Sequence, residues 1–371
     1  MRIALNAGSF SKNNFDLFFT LAKAHPGETF FFFLEKELFP TDFPSNIQQV
    51  IIHSKREFGL NRNPWYTIKI KRALKKMEAD IFISEKAIIL NSKIPQILLS
   101  PELSYFFYAA GLNEKETQYY RKNNGVFCKS AVQILVNSFF IKKEIVEKFQ
   151  VPEEKIKVIY PEINNLFTAP SNEEREIIKE KYANGNEYFI YKGPIGNQEN
   201  LMNLLKAFSF FKKRQRSKMQ LVIMGTAGAG YEEFLESVRL FRFKEDVRII
   251  TDISYEEGEQ ILSSAYAMIF VPMFKSDPSE VAEAIRCEIP LIVSSTAILK
   301  EYCEEAALFA DPGDFKNIAE QMMYLFKDEQ KRKELIEKGK SELKKFTHIK
   351  PEVILWEAIK SAAEKREGLM N

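Results

Sequence analysis

The residues best placed to do chemistry lie between Phe270 and Ser295. Asp277-Pro278-Ser279-Glu280 has the pattern of a helix start. Asp277 is the expected capping residue, Pro278 suits the first helical position, and Glu280 can reach back to the cap N–H. The preceding run Ala267-Met268-Ile269-Phe270-Val271 is short and continuously apolar, as expected for a strand buried on both faces. The helix is expected to run to about Cys287, and Pro290-Leu291-Ile292-Val293 opens the next strand. Parallel strands joined by a helix form a βαβ unit, and ligands bind outside the carboxyl ends of such strands. The loop over 273–277 is therefore a candidate ligand site. The same pattern equally suits a βαβ unit that builds the fold and holds nothing.

The segments around this stretch must position it, and they alternate in type. In the first half, strand-like runs fall at 2–6, 29–34, 49–53, 80–84, 95–100, 130–137 and 155–160, with helical spacing at 15–24 and 139–149. Residues 160–187 hold Pro161, Asn164, Asn165, Pro170 and a charged helical segment over 173–182, which marks a candidate boundary. The second half alternates strands at 188–191, 220–224 and 247–250 with helices at 200–214, 231–241 and 255–265, ahead of the opening stretch. Helices follow at 314–326 and 329–346. Strands alternating with helices through short loops predict parallel, doubly wound sheets.

Composition narrows the class. The chain has 371 residues, enough for two ordinary domains, with 45% hydrophobic and 28% charged residues. Lys and Arg number 53 against 51 Asp and Glu, so no global charge argues for nucleic acid. Cys128, Cys287 and Cys303 are widely spaced and lack metal-ligand spacing, and three histidines make a His-built metal site improbable. The N-terminus runs straight into a strand without a signal-peptide pattern, and no apolar run approaches the ~20 residues of a membrane span. A cytoplasmic location follows as an expectation, with the inner face of the membrane as one place for it. The segment from Trp65 to Lys76 is a basic helix candidate. It could adhere to an anionic membrane surface. The solvated face of a core-packed helix is the favoured alternative.

Taken with Ala306-Ala307-Leu308-Phe309-Ala310-Asp311-Pro312, the opening stretch resembles the C-terminal half of the retaining GT-B glycosyltransferases of family 4, the group 1 glycosyltransferases. That family typically reads P-S-x-x-E-G-F-G-L-P-x-x-E-A-M-A-C-G-x-P-V-I. Here Glu283-Ala284-Ile285-Arg286-Cys287-Glu288-Ile289-Pro290 matches its second half well and the first half matches poorly. The resemblance extends over nearly the whole chain, strongest at 200–211, 220–225 and 283–312. It implies an α/β GT-B fold: two Rossmann-like domains with parallel sheets facing across a cleft, and a C-terminal helix around Leu355-Trp356 crossing back to the first. The implied domains are 1–165 plus 347–371 on the acceptor side and 166–346 on the nucleotide-sugar side.

The resemblance also implies a function, transfer of a sugar from a nucleotide-diphosphate sugar to a glycan or lipid-linked acceptor. The nucleotide sugar is a substrate, and no cofactor or metal is expected. Glu283 resembles the ribose-binding acceptor, with a helix glutamate held by a neighbouring Lys or Arg as the other reading. Peptide N–H groups around Asp277, Ser279 and Glu280 would hold the donor, although the carboxylates of Asp277 and Glu280 compete for the same donors. Gly193 and Gly225 would permit close approach.

Three positions depart from the family pattern. Lys275 stands where the first glutamate of the spaced pair belongs. Glu199 replaces the lysine of G-x-x-x-x-R-K-N-L after the strand at 188–191, where an exposed carboxylate is expected to repel a diphosphate by ~1 kcal/mol. Lys192 could compensate, but a surface position is expected. Pro101, in Ser100-Pro101-Glu102-Leu103, stands where relatives often carry histidine. Glu102 is a candidate to accept from a sugar hydroxyl, against a plain loop carboxylate. The N-terminal loop Ala7-Gly8-Ser9-Phe10-Ser11-Lys12-Asn13-Asn14 carries one glycine where the family has several. These departures keep open a catalytically impaired relative that serves as a binding module or as the subunit of a partner glycosyltransferase.

Overall fold

In the computed structural model, which describes residues 1–10, 12–37, 43–53, 64–89, 91–108, 114–160, 170–347 and 350–370, two parallel sheets lie in two compact units. The first unit takes Met1–Tyr105, Asn113–Glu162 and Ile349–Asn371; the second takes Phe106–Leu112 and Ile163–His348. Ser11, Pro161, Asn164 and Asn165 lie outside the described residues, as does the side chain of Trp65.

The first sheet has strands β1 (Arg2–Leu5), β2 (Thr29–Leu34), β3 (Ile47–Ile51), β4 (Ile81–Glu85), β5 (Gln96–Leu99), β6 (Gln133–Val136) and β7 (Ile156–Val158), in the order β3-β2-β1-β4-β5-β6-β7. Strand side chains alternate between faces, and β2 shows why a run of phenylalanines is needed. Phe30 and Phe32 point into one apolar cluster with Phe18, Leu21, Leu355 and Ile359. Phe31 and Phe33 point into the opposite one with Tyr66, Ile70, Leu74 and Phe82. Both faces are covered by helices, so neither face can be polar. The last helix, Pro351–Met370, is part of the first cluster, and Trp356 stacks on His25 with ring centroids 3.7 Å apart.

The second sheet has β8 (Tyr188–Lys192), β9 (Gln220–Met224), β10 (Val247–Ile250), β11 (Ala267–Phe270), β12 (Leu291–Ser294) and β13 (Ala307–Ala310), in the order β10-β9-β8-β11-β12-β13. All pairs are parallel, and β8 meets β11 through Ala267↔Phe189 and Met268↔Ile190. Strand order reverses between these two strands. In doubly wound sheets the loops leaving such a pair diverge to opposite faces and open a crevice.

Two expectations are corrected. The strand expected at 130–137 is shorter, Gln133–Val136, because a helix, Glu114–Ser130, runs into it. That helix buries Thr117 and Asn124 along with Phe127 and Cys128, so its apolar periodicity is weak. The helix start is displaced: the helix is Ser279–Arg286, Pro278 occupies the cap position, and no side chain caps it. Asp277 lies one residue too early to act as the cap.

Replacement of Ile359, fully buried in the first unit, by alanine is expected to cost about 2–5 kcal/mol. Denaturant unfolding measures this, and an unchanged midpoint would remove the last helix from this core.

Candidate functional site

The loops at the carboxyl ends of β8 and β11 carry the expected donor residues. After β8 the chain passes through Gly193 and Gly196 into a tight turn over Asn197–Glu199, then Asn200 in the left-handed region at φ 59°. The Asn200 side-chain amide donates to Val271 O at 2.7 Å and Pro312 O at 2.8 Å, the ends of β11 and β13. This clamp turns Glu199 inward. Gly193 and Gly225 also fix the turn. A Cβ on Gly225, at φ +157°, would fall 1.7 Å from Gly193 O, so the glycines approach each other.

Glu199 is the main correction to the expected electrostatics. Its side chain is only 7% exposed, and Oε1 pairs with Lys275 Nζ at 3.0 Å. Lys275 Nζ also lies 3.8 Å from Glu280 Oε1. Glu280 therefore faces Lys275 instead of returning to the helix cap. Lys192, expected at the surface, is half-buried and bonds Glu283, which matches the alternative reading of Glu283 as a helix glutamate held by a neighbouring lysine. A carboxylate that folds against an ammonium inside the crevice presents far less repulsion than an exposed one. The Tyr255 ring, 44% exposed, lies 5.9 Å from Lys192 Nζ and flanks this second pair; sequence reasoning missed it, since a lone tyrosine at a helix start carries no motif.

The protonation states follow from burial and neighbours. Burial pushes Glu280 up to about 7, Lys275 pulls it back, and Asp277 adds to the rise. Burial disfavours the Lys275 ammonium, but Glu280 and Glu199 more than offset this and hold it above the ordinary lysine range. Burial, followed by Glu199 and Glu280, keeps the Tyr191 phenol protonated; its hydroxyl donates to Pro194 O at 2.8 Å.

The second unit thus brings together Gly193, Lys275, Asp277, Ser279, Glu280 and Glu283, with Gly225 supporting the turn. Glu102 belongs to the first unit. Its Oε1 accepts from Ser104 N at 2.9 Å and its Oε2 lies 3.6 Å from Lys86 Nζ, so its carboxylate is engaged locally.

With this geometry in place, comparison with known proteins identifies the second unit. The family described as Glycosyl transferases group 1 matches residues 172–342. Residues 172–342 thus resemble a group 1 glycosyl transferase domain. O-antigen chain mannosyltransferase B of Escherichia coli is 22% identical over 219 residues, 59% of this chain and 58% of that protein, so the match spans under two thirds of the relative. The structure of WaaG, a glycosyltransferase involved in lipopolysaccharide biosynthesis, is similar with a TM-score of 0.75 at 14% identity, covering 98% of both chains. Anabaena Alr3699/HepE in complex with UDP and glucose has a TM-score of 0.75 at 12% identity, covering 97% of this chain and 100% of that one. The fold is GT-B. In the group 1 domain, the crevice at β8 and β11 is its own topological switch point.

Because Glu280 rises from 4.5 to about 7 on folding, its protonated form stabilises the folded state below pH ~4.5, and this stability is lost as pH climbs through ~7. Between pH 5 and 8 the wild type is expected to lose urea resistance relative to Glu280→Gln. Parallel curves for the two proteins would contradict this.

Proposed function

We propose that the protein transfers a sugar from a nucleotide-diphosphate sugar to a glycan or lipid-linked acceptor. One observation carries the reading: Glu283 sits in the helix that follows β11 at the switch point, within the residues that match the group 1 family. A carboxylate near a switch point can accept from a ribose hydroxyl. The peptide N–H groups at the start of the helix Ser279–Arg286 supply positive potential for the diphosphate. Transfer breaks the bond between the anomeric carbon and the diphosphate oxygen and forms one to the acceptor oxygen. Charge develops on the leaving diphosphate, so cations and N–H donors there lower the barrier. Acceptor binding falls to the first unit in this reading. The named role of the E. coli relative supports a surface polysaccharide as product, with a mannosyl donor as one candidate.

The test is calorimetric titration with nucleoside diphosphates and their sugars, without and with magnesium. Micromolar binding of one nucleotide is expected, weakened about tenfold or more in Glu283→Ala, the range for losing a buried charged hydrogen bond. No heat with any nucleotide would sink the reading.

A lipid-linked acceptor would bring the protein to the inner membrane face, which is the location proposed here. No helix among the described residues is long and apolar enough to cross a membrane. The helix Pro64–Lys76 buries Tyr66, Ile70 and Leu74 and exposes Lys69, Lys71, Arg72, Lys75 and Lys76. Exposed cations of this kind add about 1 kcal/mol each at an anionic bilayer. Sedimentation with anionic vesicles, and not with neutral ones, is expected; reversal of Lys71, Arg72 and Lys75 to glutamate should abolish it. Equal sedimentation of this variant would dismiss the contact.

A further inference from the structure

The crevice lies at the carboxyl ends of the second sheet, and a different feature lies at its amino ends. Residues 200–231 contain no Asp or Glu, and most of their cations fall between 212 and 218, where the helix Leu201–Gln215 ends. Cations in the last turn complement the helix dipole. Arg216 and Lys218 lie beyond the helix and need another reason. The first of the run, Lys212, serves the fold. It is 7% exposed. Its Nζ donates to Ser217 O at 2.7 Å and Met219 O at 3.0 Å, and it pairs with Asp246 at 3.0 Å. This buried clip holds the turn at Arg216, which sits in the left-handed region at φ 51°. It also ties that turn to the loop ahead of β10, because Asp246 accepts from Gln220 at 3.0 Å as well.

The clip leaves the other cations in solvent. Lys213, Arg214, Arg216, Lys218, Arg242 and Lys244 are exposed, and none is paired with a carboxylate among the described residues. The acids nearby are engaged: Asp246 by Lys212, Glu187 at the edge of β8 by Lys179, and Glu236 by Arg239. Of the carboxylates in these two loops, only Glu245 is exposed. In the second loop stands Leu240, 87% exposed, where the helix Tyr231–Arg239 ends. A single exposed leucine is ordinary. This one is followed by Phe241 and Phe243, half-buried with ring centroids 6.1 Å apart, and the Arg242 guanidinium lies 5.5 Å from the Phe243 ring. Cations around an apolar tip match an anionic bilayer, whose headgroups take the charge and whose acyl boundary takes the leucine. A purely acidic polymer matches the cations and leaves the leucine in water.

We infer that the loops 213–218 and 239–244 form a membrane-docking surface on the second unit. Its occupant is a bilayer rich in anionic lipid, with the cations on the lipid phosphates and Leu240 at the headgroup boundary. The helix Pro64–Lys76 belongs to the first unit, so this is a second contact. It does not depend on the donor-site reading, and it leaves the crevice at the opposite strand ends open. A single weak signal holds a protein at a bilayer only reversibly, and two hold it stably. Loss of either contact is then enough to lower sedimentation.

The test places a reporter at position 240. Cys128, Cys287 and Cys303 are buried, so Leu240→Cys offers the one surface thiol among the described residues for an environment-sensitive fluorophore. The labelled full chain is mixed with phosphatidylcholine vesicles, with vesicles containing phosphatidylglycerol, and with soluble poly-glutamate. A blue shift is expected with the phosphatidylglycerol vesicles only. Adding Arg214→Glu, Arg216→Glu and Arg242→Glu should raise the lipid concentration at half-shift by about a hundredfold or more. Thermal unfolding should be unchanged, because these side chains are exposed. An unshifted label on protein that sediments with the vesicles would overturn the second contact and leave the helix Pro64–Lys76 as the attachment. An equal shift with phosphatidylcholine vesicles would overturn the role of the cations. A shift with poly-glutamate and none with vesicles would assign the surface to an acidic polypeptide and overturn the bilayer.

Discussion

The second unit depends on a buried ammonium between two carboxylates. Lys275 comes from the loop after β11, Glu199 from the loop after β8, and Glu280 from the helix that follows the β11 loop. At the switch point the two strands lie side by side while their continuations part, so no ladder hydrogen bonds can join the loops. A charged contact across the gap supplies that connection. Its strength comes from exclusion of water, and so does its penalty, since each charge must keep its partner. The Asn200 clamp and the Gly193–Gly225 contact fix the backbone so that the pair can form.

The same reasoning accounts for the site's polarity. A parallel sheet with both faces covered has no polar surface of its own. Any chemistry must therefore sit at strand ends, where loops and helix starts expose peptide groups. The cluster of Lys192, Glu199, Lys275, Glu280 and Glu283 is confined to that edge. The two lysines divide it: Lys192 with Glu283 on one side, and Lys275 with Glu199 and Glu280 on the other.

The fold was legible because it rests on periodicity. β2, with five apolar residues in a row, and β9 are runs that suit a doubly covered strand, and β2, β9 and β10 stand where the pattern places them. The helix Glu114–Ser130 was not legible, because it buries Thr117 and Asn124 where the pattern looks for apolar residues. Glu102 likewise reads as a possible acceptor, while the structure shows its oxygens facing Ser104 N and Lys86. A carboxylate's availability depends on its neighbours in space, and residue type is silent on that.

The amino-acid sequence by itself determined the alternation of strand and helix, the parallel sheets, the GT-B resemblance and the loop at 273–277. The resemblance rests on motif residues such as Glu283, Ala284 and Pro290; the rest is set by hydrophobic spacing and local chain stiffness, which act over a few residues. Only the tertiary structure decided the electrostatics. Glu199 and Lys275 lie 76 positions apart, and Lys192 and Glu283 lie 91 apart. Read singly, each of the first two is a lost motif. Coulomb attraction depends on separation in space and on the exclusion of water, and both were fixed only when the two strands came together.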